Sequence, residues 1–187
     1  MPGQRLTFEE ATAPRPYLVV ACSYPGRSFE LRGVRSEAAQ VEASARLVTR
    51  LDNCSVGTLR EHLQQGCLGL HLLCHGDAPL RGECVPLLGS GSVPEAVSIH
   101  SLVSLIRPHA CAGSLRHVYL GGCRTFELGR ALHEQAAVAC VVCYRDRVHD
   151  GAGAPPAPLD PTKQPGTHQC YRAWVVAVPR VREACLA

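Results

Sequence analysis

Short runs of consecutive apolar residues, each broken at glycine, proline or a charge, alternate along this chain with stretches in which apolar residues recur every three or four positions. The first pattern suits strands covered on both faces, and the second suits amphipathic helices lying on a sheet. Residues 17–22, Tyr-Leu-Val-Val-Ala-Cys, predict a first strand that ends at the turn signal Tyr24-Pro25-Gly26. Val34, Ala38, Val41, Ala45 and Val48 then step by fours and threes, predicting a helix capped at Ser36. Thr58 opens a shorter helix through Leu59, Leu63 and Gln65, stopped by Gly66, while residues 53–57 are too polar to assign.

Residues 68–74, nearly all apolar, predict a second buried strand with His75 marking its end. Residues 85–88 before Gly89-Ser90-Gly91-Ser92 read as a small hairpin arm, with Pro86 arguing for an edge position. Ile99, Leu102, Val103, Leu105 and Ile106 carry helical spacing up to Pro108, which is expected to close the element. Residues 117–120 predict the next strand, 126–137 a helix with Leu128, Ala131, Leu132 and Gln135 on one side, and 138–144 another buried strand. Alternating strands and helices of this kind predict an α/β fold with a mostly parallel sheet flanked by helices.

Outside these elements, residues 1–16 read as a loose N-terminal arm and 17–187 as a single domain. Within it, residues 151–166 hold five prolines and three glycines in sixteen positions, so an irregular loop is expected there. The tail around Trp174-Val175-Val176-Ala177-Val178 fits a last strand or one face of a helix stopped by Pro179. No internal repeat is evident.

Composition narrows the function classes. A chain of 187 residues that is 46% hydrophobic and 19% charged belongs with soluble globular proteins. Its formal charge of +3 is scattered, without a dense basic run interleaved with aromatics, so nucleic acid is not the expected partner. The N-terminus lacks an apolar signal core and no run of about 18 apolar residues occurs, so a cytoplasmic protein without membrane attachment is expected. Eleven cysteines are many, but the number is odd and several, including Cys22, Cys74, Cys140 and Cys143, fall within apolar runs where cysteine acts as a small hydrophobe. A disulfide framework is therefore not expected. Cys140 and Cys143, spaced C-x-x-C with His149 following, raise a zinc reading; the pair sits in an apparent strand and no second pair completes four ligands, so neither metal nor cofactor is expected.

Chemistry concentrates at two strand ends. Cys123 follows Leu120-Gly121-Gly122, just before a helix whose dipole favours thiolate, and His75 follows Leu72-Leu73-Cys74 and precedes Gly76. Both residues should emerge at the same edge of a parallel sheet, where α/β proteins place their active loops. The plainer reading makes Cys123 one more buried cysteine and His75 a surface histidine. The surrounding glycines and the strand-end placement of both favour the chemical reading. Cys74, His71 and His117 read as core or structural groups.

Taken together, Leu72-Leu73-Cys74-His75-Gly76, Tyr119-Leu120-Gly121-Gly122-Cys123-Arg124-Thr125 and the stretch from Val141 through Tyr144 to Asp150-Gly151-Ala152 resemble the motifs of the CHAT domain, a caspase-like module related to separase and caspases. The histidine stands 48 positions before the cysteine, similar to the caspase spacing of about 50. The likeness covers residues 17–152. It implies a three-layer caspase–haemoglobinase-like fold and a cysteine endopeptidase with a Cys-His dyad. Cys123 sulfur would attack the scissile carbonyl and His75 would protonate the departing amine, then activate water. Backbone N–H groups of Gly76 and Cys123 would form the oxyanion hole. In relatives that cleave after basic residues an acidic side chain meets the arginine or lysine, a role that falls to Asp150, or else to Asp146 or Asp77. The expected partners are a protein or peptide substrate and a regulatory protein. Two other functions compete: a catalytically inactive interaction or scaffold module on the same fold, and a phosphate-binding α/β protein using Gly121-Gly122 at a helix N-terminus. The second lacks both G-x-G-x-x-G and a Walker lysine.

Overall fold

β-branched and leucine-rich runs of four or five residues form the centre of this computed structural model, which describes residues 15–27, 29–76, 78–80, 82–90 and 94–146 and the backbone of 173–177. Ten strands and four helices follow in the order β1 (Tyr17–Ala21), α1 (Gly33–Ser44), β2 (Val48–Asp52), α2 (Val56–Gln64), β3 (Gly69–Leu73), β4 (Ala78–Leu80), β5 (Glu83–Val85), β6 (Leu87–Leu88), β7 (Glu95–Ala96), α3 (Ile99–Cys111), β8 (His117–Leu120), α4 (Phe126–Glu134), β9 (Cys140–Tyr144) and β10 (Ala173–Ala177) among the described residues. The main sheet runs β10-β9-β8-β3-β1-β2. Its first five strands in chain order pair in parallel, and β10 closes one edge antiparallel to β9. The α/β class with a mostly parallel sheet is therefore as the pattern predicts.

Strand alternation sorts the core into two layers. Leu18, Val20, Leu70, Leu72, Val118, Leu120, Val141 and Cys143 face the side covered by α2, α3 and α4. Val19, Ala21 and Leu73 face the other side, against Val34 and Ala38 of α1. Helices on both faces explain why the strands read as nearly continuous apolar runs rather than as alternating ones.

Connections leave β1 and β3 in opposite directions across the sheet. The chain passes from β1 outward to β2 at one edge, then returns over β1 to β3 and continues through β8 and β9. The crevice between the carboxyl ends of β1 and β3 is thus the topological switch point, where diverging loops leave room for chemistry.

Several local expectations need correction. The apolar stripe from Val34 to Val48 is not one helix: α1 stops at Ser44 and Val48 opens the edge strand β2. Arg32, not Ser36, is the N-cap of α1, and its own side chain makes no capping hydrogen bond. Ser55 rather than Thr58 caps α2, its Oγ accepting from the Thr58 N–H at 3.1 Å. Residues 78–96 fold into two small hairpins, β4-β5 and β6-β7, with Pro86 between them. Pro108 lies inside α3 instead of closing it. Ser104, whose carbonyl would have accepted the missing N–H, is on the exposed face of the helix. Gln135 is exposed and lies just past α4. The C-terminal alternative resolves to a strand, β10. Of the arm expected at 1–16, residues 1–14 lie outside the described residues, as does the loop at 151–166, while the Pro16 carbonyl accepts from the Leu68 N–H at 2.9 Å. Among the described residues, no helix is long and apolar enough to cross a membrane.

Candidate active site

Strand register brings the two candidate residues to the same edge of the sheet, at the ends of neighbouring strands. His71 of β3 pairs with Tyr119 of β8, and Tyr119 pairs with Val142 of β9. His75, Cys123 and Asp146 each stand four residues beyond that row, at the carboxyl ends of three consecutive parallel strands. Nothing in the separation of 48 residues matters once the register is set: the ladder alone brings both loops to one edge.

The loops then touch through their backbones. A β-carbon on Gly76 would collide with the Cys123 carbonyl oxygen and stand 2.6 Å from Cγ2 of Thr125. One on Gly122 would lie 2.5 Å from the Cys74 carbonyl oxygen and 3.0 Å from the Gly76 nitrogen. Real side chains do not tolerate such distances, so only glycine permits this approach at either position. The glycine after the histidine and the glycine before the cysteine are both required by the contact between their loops. Gly76 and Gly122 are buried, whereas His75 and Cys123 are half-buried.

A third loop fixes the imidazole. Residues 22–32 leave β1 at the switch point, and the Phe29 carbonyl accepts a hydrogen bond from Nε2 of His75. Because a carbonyl can only accept, Nε2 carries the hydrogen, and Nδ1 is the nitrogen left to exchange a proton. The Phe29 ring packs edge-on against His75 at 6.2 Å and against Tyr24 at 5.6 Å. The His75 carbonyl in turn accepts from the Leu87 N–H at 2.9 Å, tying the loop to β6.

The Cys123 turn is held equally firmly. Arg124 adopts a left-handed conformation with φ of 51°, and its N–H donates to the Asp146 carbonyl at 3.1 Å. Thr125 is buried at the N-cap of α4, and its Oγ1 accepts from the Tyr144 N–H at 3.1 Å.

Burial separates the remaining thiols from this site. It pushes Cys22, Cys67 and Cys143 up to about 11 and Cys54 up to about 12, and raises Cys74 well above the ordinary thiol range. These are protonated core groups, as Cys74 was expected to be. His71, half-buried between Tyr17 and Tyr119, is a packing residue whose pKa burial lowers, and His117 is exposed. Cys140 and Cys143, three apart along β9, point to opposite faces of the sheet, and His149 lies outside the described residues.

Of the acidic candidates, Asp146 is exposed at the end of β9, and Asp77 and Asp150 lie outside the described residues. A cavity of about 970 Å³ between α2, α3 and the two hairpins is lined by Arg60, Glu83, Glu95, His100 and His109, and includes neither His75 nor Cys123. Sequence reading missed three contributors: the Phe29 carbonyl, the left-handed Arg124 and the Thr125 hydroxyl. The first is a backbone atom 46 residues from its partner and leaves no sequence signal. Thr125 had one, as a capping-type residue just before a helix. Neither a protein-family model nor a curated protein sequence matches the chain.

Proposed function

We propose that this protein is a cysteine endopeptidase of the caspase-like, CHAT-related type, with Cys123 as nucleophile and His75 as its acid–base partner. The observation that carries the proposal is the shared register of His75 and Cys123 at neighbouring strand ends, with their loops in backbone contact at Gly76. Helices on both faces of the parallel sheet support the caspase–haemoglobinase-like arrangement that the motifs imply.

In this reading the Phe29 carbonyl holds Nε2–H, so proton exchange with the thiol and the leaving amine runs through Nδ1. The same carbonyl stabilises the imidazolium once His75 is protonated. Sulfur attacks the peptide carbonyl, and the oxyanion is received by the N–H groups of Gly76 and Cys123. The amine leaves with a proton from His75, which then takes one from water as the thioester is hydrolysed. An arginine or lysine before the cleaved bond would meet Asp150, or else Asp146 or Asp77; of these Asp146 is described, exposed, with its backbone carbonyl bonded to the Cys123 turn. Nine described cysteines outside any disulfide support a reducing, cytoplasmic setting.

Incubation with a chloromethyl ketone bearing arginine or lysine, followed by peptide mapping, tests the proposal. Adduct at Cys123 that is absent in Cys123→Ala supports it. A folded protein that stays unlabelled at Cys123 favours the inactive scaffold on the same fold.

A further inference from the structure

Thr125 joins the three loops that surround Cys123. Although it stands at a helix N-cap, where a threonine hydroxyl usually accepts from the first helical amides, its side chain makes no such bond. Its Oγ1 instead lies 3.1 Å from the Gly122 carbonyl, to which it donates, with the Leu120 carbonyl at 3.4 Å, and it accepts from the Tyr144 N–H at 3.1 Å. Its methyl packs where the loop after β3 passes, 2.6 Å from the position a Gly76 β-carbon would take. One side chain, 3% exposed, therefore contacts the turn after β8, the end of β9 and the loop after β3. The left-handed Arg124 beside it needs such support, because a non-glycine residue holds that conformation only where its surroundings fix it.

We propose that Thr125 is a positioning residue for the Cys123 nucleophile, its hydroxyl fixing the turn that presents the sulfur to the His75-Gly76 loop; this rests on the peptidase reading above. The hydroxyl touches no reacting atom. Its loss removes the partner of the buried Gly122 carbonyl and of the half-buried Tyr144 N–H, leaving the Arg124 N–H bond to the Asp146 carbonyl as the turn's remaining described backbone tie to the end of β9. A nucleophile displaced by about 1 Å loses rate on the order of 100-fold, without a matching loss of substrate binding.

Two substitutions separate hydroxyl from shape: Thr125→Val keeps the branched outline, and Thr125→Ser keeps the hydroxyl. Turnover of an arginyl fluorogenic peptide and the rate of Cys123 alkylation by iodoacetamide, resolved by peptide mapping, are measured on the full chain. Thr125→Val is expected to lower kcat by about 10- to 100-fold, with KM within about twofold and slower alkylation of Cys123, while Thr125→Ser stays within about threefold of the parent. Should the valine variant not fold, Thr125→Ala, which leaves space for a water, is expected to fall between the two. Equal losses in the valine and serine variants, or unchanged kcat and alkylation in the valine variant, overturn the proposal. If the parent chain cleaves no peptide, the peptidase reading fails, yet the alkylation rates still decide on Thr125: a change specific to hydroxyl loss sustains its role in placing the thiol, and no change refutes it.

Discussion

Gly76 and Cys123, separated by 47 positions in sequence, meet backbone to backbone, with the Cys123 carbonyl carbon 3.2 Å from where a Gly76 β-carbon would stand. The carbonyl cannot move aside without shifting the turn that carries the thiol. Gly76→Ala is therefore expected to destabilise the protein by about 1–3 kcal/mol in urea unfolding, as overpacking of a closed contact does. It should also change the rate of Cys123 alkylation, whereas a loop that yields freely would leave both quantities alone.

How far the sequence carries this arrangement depends on which forces write themselves into residue types. β1, β3, β8 and β9 were legible because both of their faces are covered, which demands unbroken apolar runs. The edge strand β2 was not, since Val48-Thr49-Arg50-Leu51-Asp52 buries little and its first valine continues the helical stripe of α1. Pro108 misled because a proline costs a helix one hydrogen bond and crowds the carbonyl four residues back without always ending it, and α3 runs on to Cys111. At the site, Cys123, His75 and their glycines were legible because the backbones must approach closely. Register, which decides whether those ends share an edge, is a property of the whole sheet and is not carried by any motif. The Phe29 carbonyl was invisible for a simpler reason, that every residue has one.

Gly129 of α4 offers a second test of close packing, away from the candidate chemistry. A β-carbon there would stand 2.6 Å from Cys143 Sγ and 2.9 Å from its Cβ, on a strand that cannot retreat. Gly129→Ala gains about 1 kcal/mol of helix propensity and loses about 1–3 kcal/mol to overpacking, so net destabilisation is expected. Combining it with Cys143→Ala should recover part of the loss, a coupling that denaturant midpoints of the two single variants and the double variant will reveal.

Buried thiols are expected to weaken the fold at alkaline pH, together with the phenols of Tyr24 and Tyr119, whose pKa values burial also raises. Cys22, Cys54, Cys67 and Cys143 have folded-state pKa values of about 11 to 12 against an ordinary value of 9.0, so the folded chain retains protons that the unfolded chain releases. Their contribution is complete below pH 9 and is lost as pH rises through the folded values. Urea midpoints are expected to change little from these groups between pH 7 and about pH 8.5, then fall steadily toward pH 11. A midpoint that holds or rises across that upper range would show that the thiols ionise in the folded state.

Ser55 caps α2 through the Thr58 N–H at 3.1 Å. Ser55→Ala is expected to cost about 1 kcal/mol in urea unfolding and to leave Cys123 alkylation unchanged, since α2 lies away from the Cys123 turn. A loss of thiol reactivity in this variant would mean that the site responds to general loosening of the fold.

The most direct measurement is cleavage of arginyl and lysyl fluorogenic peptides by the parent chain, Cys123→Ser and His75→Ala, with unfolding curves confirming that all three fold. Turnover by the parent, with a loss of about 1,000-fold or more in each variant, is the expected result. Turnover that survives either substitution, or a folded parent that cleaves neither peptide, would contradict the assignment of Cys123 and His75 as a catalytic pair.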